Sequence, residues 1–416
     1  MKNNELLKFN EAIKLIDENA ILNKPVQLPF ENCIGRILAE SITASNDIPA
    51  FTNSAMDGFA VKSEDLISAS KTSPVKLEMI ETIAAGAQST KNVDCGKCIA
   101  IMTGAPMPKG ANAVVKVEDT EREGNKVNFF APVPEKDNVR FKGEESKKGD
   151  PLVQKYSVVT PGVIGLASSI GLTSLNVFEP SKIAIIITGD EVLPPGSQLQ
   201  PGKIIDATGP ALKSALISDN FPVVFFEYVK DNPADIEKVI KIAISKADVI
   251  IIAGGASMGQ FDFVQDCLTK IGAKKIFWKI AVKPGKPTWF GKIDNKIIFN
   301  LPGNPVSVIV TYYLYVRFLL QKQLGYNSNM AELKKQHAKL MKTITKSDHR
   351  LEFVRGIVDN NNSVMPLKQR GSAMLSGMAN ANCLINFPQN CEKISAGENV
   401  EILNLPIQSV LSVGSV

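Results

Sequence analysis

Residues 183–191 read IAIIITGDE, an apolar run that ends in a polar turn. Short apolar runs without alternation are typical of strands that are buried on both faces of a parallel sheet. Further runs of this kind lie at residues 223–229, 249–253, 276–282 and 297–301. Between them, one helical face is marked by apolar residues, namely Ile236, Val239, Ile240, Ala243 and Ile244. This alternation predicts a doubly wound α/β domain over residues 181–326.

The segments on either side of this domain show a different pattern. Residues 49–145 contain short alternating runs separated by turn signals, which predicts a small, mostly β domain. Alternating runs from residue 331 to 416 predict a β-barrel-like domain. Residues 1–48 and 146–180 are expected to pack together as one discontinuous N-terminal domain. The predicted fold class is therefore multidomain α/β plus β.

The composition excludes several classes of protein. Of the 416 residues, 44% are hydrophobic and 21% are charged, as in ordinary globular proteins. A net charge of +5 is too small to indicate nucleic-acid binding by itself. The longest apolar stretch, residues 306–316, is too short to span a membrane and predicts a buried helix. The N-terminus lacks the apolar core of a signal peptide, so we expect a cytoplasmic protein without membrane or nucleic-acid partners.

Cysteine and histidine are sparse and argue against several kinds of site. The 6 cysteines are scattered along the chain and are expected to be reduced. Cys95 and Cys98 have the spacing of a redox pair or half a zinc site, but no second pair completes a set of four ligands, which favours coincidence. The 2 histidines, His337 and His349, lie in a lysine-rich stretch. Chemistry that needs a positioned imidazole is therefore not expected.

The predicted strands are followed by loops suited to binding an anion. Ligands of an open α/β sheet bind beyond the carboxyl ends of its strands. The loops expected there are TGDE (188–191), KDNP (230–233), GGASMG (254–259), KPGKP (283–287) and PGNP (302–305). Glycine-rich turns beside helix N-termini present backbone N–H groups to phosphate. Any one of these loops alone is better explained by an ordinary turn, so the prediction depends on their coincidence.

Charged residues in these loops refine the prediction. Lys283 and Lys286 supply positive charge for an oxyanion. Hard oxygen ligands suited to Mg²⁺ are supplied by Asp190, Glu191, Asp231 and Asp262. Simple pairing of these carboxylates with the lysines is the alternative. From the residues alone, we expect a phosphorylated ligand and a divalent metal.

The same loops, in the same order, resemble the molybdopterin molybdenumtransferase family, the bacterial MoeA proteins and the E domains of plant and animal homologues. The resemblance rests on the segments NSAMDGFAV (53–61), IMTGAP (101–106), TGDE (188–191), GGASMG (254–259) with Asp262, KPGKP (283–287) and LPGNPVS (301–307). It implies the last step of molybdenum cofactor synthesis. Adenylylated molybdopterin and molybdate enter, the pyrophosphate link is hydrolysed with a divalent cation such as Mg²⁺, and molybdenum cofactor and AMP leave.

The resemblance also implies roles for individual residues. The catalytic residues would be Asp57, Thr103, Glu191, Asp231 and Asp262. The residues that bind the pterin phosphate and AMP would be Thr188, Asp190, Gly254, Gly255, Ser257, Pro302 and Asn304. The molybdate ligands would be Lys283, Lys286, Ser307, Arg355 and Ser372. The metal ligands would be Asp190, Glu191, Asp231 and Asp262.

Partners follow from the same resemblance. It implies a homodimer in which the small β domain of one subunit, with Asp57 and Thr103, lies over the α/β domain of the other. It further implies contacts with a molybdopterin adenylyltransferase of the MogA type and with apo-molybdoenzymes.

The sequence departs from the family pattern at three positions. Glu145 replaces an aspartate, Thr208 replaces an asparagine, and Ala256 replaces a valine. None of these changes removes a charged residue of the predicted site, so we expect activity. Two other functions stay open, a non-catalytic scaffold and a molybdopterin adenylyltransferase. The presence of both loop lysines favours the molybdate-inserting enzyme.

Overall fold

The computed structural model describes residues 6–256 and 263–406. The chain forms two compact units, one of them Gln27–Asn176 and the other made of the segments on either side of it. No helix within the described ranges has the length and apolar character needed to span a membrane.

Up to residue 178 the chain forms mostly short strands; the first helix belongs to the other unit, and most of the strands belong to the unit Gln27–Asn176. The elements up to residue 178 are α1 (Phe9–Glu18), β1 (Pro25–Pro29), β2 (Ile42–Thr43), β3 (Asn53–Ser54), β4 (Gly58–Val61), β5 (Val75–Ile83), β6 (Lys97–Ile101), β7 (Ala113–Lys116), β8 (Thr120–Glu123), β9 (Lys126–Phe129), β10 (Val139–Arg140), β11 (Pro151–Val153), α2 (Pro161–Ser169) and β12 (Ser174–Phe178). The main sheet has the strand order β7-β4-β6-β5-β9-β8, in which only the pair β5 and β6 is parallel among the described strands. Phe59 and Phe129 pack on one face of β4 and its neighbours, and Ala60 and Ile99 pack on the other.

The second unit contains the α/β domain and the barrel. Its elements after residue 178 are β13 (Ile183–Thr188), β14 (Val192–Leu193), β15 (Ile204–Ile205), α3 (Thr208–Ser218), β16 (Val223–Val229), α4 (Pro233–Lys246), β17 (Val249–Ala253), α5 (Val264–Lys270), β18 (Lys274–Trp278), β19 (Val282–Lys283), β20 (Trp289–Ile293), β21 (Lys296–Leu301), α6 (Pro305–Thr311), α7 (Arg317–Gln323), α8 (Ser328–Ala331), β22 (Lys335–Leu340), β23 (Ile344–Thr345), β24 (Leu351–Val358), β25 (Ser363–Pro366), α9 (Leu375–Ala379), β26 (Cys383–Phe387), β27 (Lys393–Ile394) and β28 (Asn399–Asn404). A π-helical turn at Tyr312–Val316 joins α6 to α7.

The α/β sheet has the strand order β16-β13-β17-β21-β20-β18. Strands β16, β13, β17 and β21 are parallel, and β20 and β18 add an antiparallel edge. Every residue of β13 and β17 is buried, as expected for strands covered on both faces. The predicted doubly wound domain is confirmed.

Helix α4 shows how sequence sets a helix and its buried face. The Asn232 side chain caps the first turn by accepting hydrogen bonds from the backbone N–H groups of Ala234 and Asp235, at 2.9 and 3.2 Å. Pro233 occupies the first turn, where its missing N–H is not needed. The predicted apolar face is the one that packs on the sheet, through Ile236, Val239, Ile240, Ala243 and Ile244.

The predicted strand 276–282 is wrong. Strand β18 ends at Trp278, and Lys279 has a φ of 68°, a left-handed conformation that a non-glycine residue does not adopt within a strand. The chain then enters β19, which pairs in parallel with β24 and not with the α/β sheet. The loop 283–287 therefore begins at a strand of the barrel sheet, and the expectation that it follows a strand of the α/β sheet is also wrong.

The C-terminal strands form a closed barrel. Their order is β24-β25-β22-β28-β26, and β26 closes the barrel by pairing with β24. The barrel core is apolar and includes Val354, Val364, Ile385 and Ile402. The predicted buried helix at residues 306–316 is found as α6 and the π-helical turn, in which Tyr312 and Tyr315 are fully buried. The α/β plus β fold class is thus confirmed.

Candidate functional site

The carboxyl ends of the parallel strands carry most of the predicted site residues of the α/β domain. Parallel strands end at one edge of a sheet, so the loops after β13, β16, β17 and β21 begin side by side. Helices α3 and α4 begin on this side of the sheet. The positive ends of both helix dipoles therefore point to this edge, where the Asp206 and Asn232 side chains accept hydrogen bonds from the first N–H groups.

Asp190 and Asp231 are joined at this edge. The Asp231 N–H donates to Asp190 Oδ1 at 3.2 Å, and the Asp190 N–H donates to Asp231 Oδ2 at 3.4 Å. The Lys203 Nζ donates to the Asp190 carbonyl at 2.8 Å. The Glu191 carbonyl accepts the Ile204 N–H at 2.8 Å, which ties the loop to β15. The structure therefore holds two carboxylates together with a cation nearby.

Thr188 lies under the glycine turn that follows β17. Its side chain is buried, and its Oγ1 has no hydrogen-bond partner among the described residues. Gly254 and Gly255 have φ values of 108° and 57°, and a Cβ on Gly254 would lie 2.6 Å from the Thr188 carbonyl oxygen. Only glycine allows this approach of the turn to the end of β13.

The start of α3 contains Thr208, which stands where the family pattern has an asparagine. Asp206 is buried and accepts hydrogen bonds from the N–H of Thr208 at 2.7 Å and of Gly209 at 3.0 Å. The Tyr228 hydroxyl also donates to Asp206, at 3.1 Å, and burial and this carboxylate raise the pKa of Tyr228 to about 12. The Thr208 Oγ1 lies 3.5 Å from the Gly303 carbonyl. Asp206 thus caps the helix, and Thr208 contacts the loop after β21.

All five predicted molybdate ligands line one cavity of about 480 Å³. Its lining includes Lys283, Lys286, Ser307, Arg355 and Ser372, together with the predicted substrate residues Pro302 and Asn304. One wall is the loop 283–287, a second is the start of α6, and a third is β24 of the barrel with the segment before α9. Ammonium, guanidinium and hydroxyl groups around one cavity form a site suited to an oxyanion.

Arg355 is a buried cation in the wall of this cavity. It is 2% exposed, and its Nη2 donates to the carbonyls of Gln369 and Gly371, the latter at 3.1 Å. Its Nε has no partner among the described residues. Burial lowers the pKa of Arg355 and the neighbouring Arg370 adds to this effect, yet an arginine side chain stays protonated at neutral pH. Arg355 therefore both supports the loop 369–371 and supplies charge.

Ser372 is fixed against the loop that follows β21. The Asn304 Nδ2 donates to Ser372 Oγ at 3.0 Å, and the Val306 N–H donates to the Ser372 carbonyl at 3.2 Å. Ser307, in the first turn of α6, is 4% exposed. These contacts place the hydroxyls of a barrel loop and an α/β helix at the same cavity.

Three charged residues of the cavity were not predicted, namely Arg350, Glu352 and Arg370. The Arg350 Nη1 donates to the Val282 carbonyl at 3.2 Å, and its guanidinium lowers the pKa of Asp348. Glu352 is 3% exposed and pairs with both Lys283 and Arg370. A signal was present, because charged residues within the apolar strand run 350–358 are unusual unless they are paired or functional.

Asp57 and Thr103 form a hydrogen-bonded pair within the unit Gln27–Asn176. The Thr103 N–H and Oγ1 both donate to Asp57 Oδ1, at 2.6 and 2.8 Å. These two bonds lower the pKa of Asp57, the backbone bond more than the side-chain bond. The carboxylate is thus exposed, ionised and held in a fixed orientation.

Two predicted site residues, Ser257 and Asp262, lie outside the described residues. Among the residues that are described, no group of three His, Cys, Asp or Glu side chains is placed to hold a metal ion. Glu145, one of the departures from the family pattern, is exposed.

Family models match almost the whole chain. The MoeA N-terminal region (domain I and II) matches residues 7–171, a probable molybdopterin binding domain matches residues 184–322, and the MoeA C-terminal region (domain IV) matches residues 337–405.

Similar proteins cover the chain almost end to end. Molybdopterin molybdenumtransferase of Staphylococcus epidermidis is 32% identical over 400 residues, 95% of each chain. The enzyme of the same name from Staphylococcus aureus (strain COL) is 31% identical over the same share of each chain. Two crystal structures of the molybdopterin biosynthesis MoeA protein from Pyrococcus horikoshii have TM-scores of 0.84 and 0.82, at 30% and 28% identity. They cover 96% of this chain and 99% and 100% of their own. The chain belongs to the MoeA family of molybdopterin molybdenumtransferases.

Proposed function

We propose that the chain inserts molybdate into adenylylated molybdopterin, with metal-dependent hydrolysis that releases molybdenum cofactor and AMP. The observation that carries the proposal is the cavity of about 480 Å³, because it gathers the lysines, arginine and serines expected to bind molybdate. A tetrahedral dianion needs several donors from different directions, and these side chains come from a loop, a helix and a barrel strand.

The neighbouring strand ends suit the nucleotide part of the substrate. Pro302 and Asn304 belong both to the cavity wall and to the loop after β21, next to the glycine turn at Gly254. Gly254, Gly255 and Thr188 offer backbone and hydroxyl groups, and Asp190, Glu191 and Asp231 offer carboxylates. A phosphate bound at this edge would therefore lie near the oxyanion. Asp57 and Thr103 are proposed as catalytic residues, with the Asp57 carboxylate kept ionised by its two hydrogen bonds.

Mg²⁺ is the proposed metal, and the donor chemistry fits it. Asp190 and Asp231 already lie together, and Mg²⁺ in phosphate-processing sites is commonly held by one or two carboxylates plus the phosphates of the substrate. Glu191 and Asp262 are the further proposed ligands. When bound, the ion would offset the negative charge of the pyrophosphate link. The protein groups would orient the substrate and hold Asp190 and Asp231 in place through their mutual hydrogen bonds.

The test is the release of AMP from adenylylated molybdopterin by the purified protein with Mg²⁺, with and without molybdate. Molybdate-dependent release together with reconstitution of an apo-molybdoenzyme is the expected result. The variant Lys283→Gln/Lys286→Gln should raise the half-saturating molybdate concentration and lower the thermal midpoint only modestly, because Lys286 is an exposed charge worth about 0–1 kcal/mol and Glu352, the buried partner of Lys283, keeps its pair with Arg370. Absence of AMP release by the folded wild type would refute the proposal. Incubation with ATP and molybdopterin tests the adenylyltransferase alternative, and we expect no adenylylation.

The resemblance to the family also supports a homodimer. Light scattering coupled to size exclusion should give about twice the subunit mass of 45.0 kDa, and a monomer mass at working concentrations would contradict it. Molybdopterin adenylyltransferase and apo-molybdoenzymes are proposed as transient partners on the same basis, and a cytoplasmic location follows from the proposed substrates.

A further inference from the structure

Glu352 is an unexpected group for an anion-binding cavity. It is a carboxylate, it is 3% exposed, and it lines the same cavity as Lys283 and Arg355. A buried carboxylate repels an incoming oxyanion unless its own charge is already compensated. Direct attraction of the oxyanion therefore cannot explain why a carboxylate lies in this wall.

Each oxygen of Glu352 holds one cation of the cavity. Oε2 lies 3.4 Å from Lys283 Nζ, and Oε1 lies 2.8 Å from Arg370 Nη2. Among the described residues, Lys283 and Arg370 make no ion pair with any other carboxylate. Lys283 and Arg370 therefore lie on either side of a single carboxylate. The distance between their charged groups depends on the positions of the two Glu352 oxygens.

The backbone makes this arrangement rigid. Lys283 and Glu352 are register partners in the parallel pair β19 and β24. Arg370 is held at its other end, where Nη1 donates to the Thr345 carbonyl at 2.8 Å. Since Glu352 is 4% exposed in its side chain while Lys283 and Arg370 are 42% and 30% exposed, the fixed partner is the carboxylate and the two cations are placed by it.

Without Glu352, the cations of this wall would repel one another. Among the described residues, the cavity is lined by the cations Lys283, Lys286, Arg350, Arg355 and Arg370, and Glu352 is the only carboxylate. Like charges close together spread apart when nothing holds them. Spreading would enlarge the distance between the groups that receive the oxyanion.

We propose that Glu352 is a positioning residue that sets the separation of Lys283 and Arg370, and thereby selects molybdate over smaller tetrahedral oxyanions such as sulfate. This inference rests on the proposed function, since it concerns the molybdate cavity of that function. Sulfate has the same charge and shape as molybdate but shorter bonds to oxygen. Cations held at a fixed separation discriminate by size, whereas loosely held cations adapt to either ion.

The experiment measures binding of sodium molybdate and sodium sulfate separately by isothermal titration calorimetry to the full chain. The wild type is compared with Glu352→Gln, which keeps the size of the side chain and removes its charge. The control is Glu401→Gln, because Glu401 is on barrel strand β28, accepts a hydrogen bond from Asn386 at 2.7 Å, and does not line this cavity. Arg370→Lys serves as a second test variant, since it keeps the charge and loses the planar fork that spans Thr345 and Glu352.

We expect the ratio of sulfate to molybdate dissociation constants to fall by roughly tenfold in Glu352→Gln and to stay at the wild-type value in Glu401→Gln. Arg370→Lys should reduce the ratio in the same direction. In turnover assays, Glu352→Gln should raise the KM for molybdate and leave kcat within about twofold. The reason is that weaker molybdate binding no longer limits the rate once molybdate is saturating.

Two results would overturn the inference. Equal weakening of both ions, with an unchanged ratio, would make Glu352 a structural residue only. Tighter molybdate binding in Glu352→Gln would show that the carboxylate merely repels the ion. The calorimetry does not depend on turnover. Selective molybdate binding by a wild type that releases no AMP would therefore refute the proposed function alone, and absence of molybdate binding would refute both.

Discussion

Replacing Gly254 by alanine tests whether the turn beneath the proposed substrate site is set by backbone geometry. The φ of Gly254 is 108°, and an added Cβ would lie 2.6 Å from the Thr188 carbonyl oxygen and closer still to its hydroxyl. The hydroxyl can rotate away, but the carbonyl belongs to β13, which is paired on both sides within the sheet. Backbone strain of about 1–3 kcal/mol and overpacking of about 1–3 kcal/mol together give an expected loss of about 2–6 kcal/mol.

Urea unfolding followed by tryptophan fluorescence measures this loss. The 2 tryptophans, Trp278 and Trp289, are both on strands of the α/β sheet, so the signal reports the unit that contains Gly254. Gly303→Ala is the matched control, because the nearest atom to its added Cβ would be the Gly254 Cα, at an ordinary 3.6 Å. The control should lose less than about 1 kcal/mol. A loss below about 0.5 kcal/mol in Gly254→Ala would refute the reasoning, since it would mean that the turn relaxes freely.

Three further changes probe other parts of the structure. Thr103→Val removes one of the two hydrogen bonds that lower the pKa of Asp57, so NMR titration of the carboxyl carbon should show that pKa closer to its ordinary value but still below it. Because the pKa of Asp57 is lower in the folded state, its ionised carboxylate stabilises the fold at pH values above the ordinary Asp pKa. This stabilisation is lost as the pH falls through the pKa of the folded state, so in Thr103→Val it should be lost at a higher pH. Arg355→Lys should raise the KM for molybdate by roughly tenfold or more, because one ammonium cannot hold both carbonyls and face the cavity, and an unchanged KM would exclude Arg355 from binding. Asp206→Ala removes the cap of α3 and should lower the free energy of unfolding by about 1–2 kcal/mol in the fluorescence assay, whereas no change would show that water replaces the cap fully.

The central fold could be predicted because its signals are local. Strands β16 and β17 have the predicted bounds, and β13 extends into Thr188, the first residue of the predicted loop 188–191. Buried parallel strands have continuous apolar runs, and α4 has a single apolar stripe, so both kinds of element could be predicted from the sequence pattern. The bounds of α4 follow from Asn232 and Pro233 for the same reason.

The prediction of a strand at residues 276–282 was wrong because no residue in this segment is typical of a strand end. Lys279 is a residue that ordinarily avoids positive φ, and the apolar residues on both sides of it satisfy the pattern of one strand. The break is stabilised by pairings with distant segments: Leu7 bridges to Ile280, and Val282 pairs with Leu351. Contacts over such sequence separations leave no local periodicity to read.

The same break explains why the cavity was predicted only in part. Lysines and hydroxyls in glycine and proline loops stood out, but Glu352 and Arg370 acquire a role only when β19 leaves the α/β sheet and joins β24. Had the loop 283–287 extended from the α/β sheet, Lys283 would have no register partner in the barrel. Since Lys283 does have this partner, the proposed oxyanion site is built from both the α/β domain and the barrel. A substitution at Val282 or Leu351 that disturbs the pairing of β19 with β24 should therefore alter oxyanion binding without changing any proposed ligand of the oxyanion.

Leu351→Pro removes the N–H that donates to the Ala281 carbonyl at 3.1 Å, so calorimetry on that variant should show weaker molybdate binding than on Leu351→Ile, which keeps the bond. Equal binding by the two variants would mean that the strand pairing does not position Lys283.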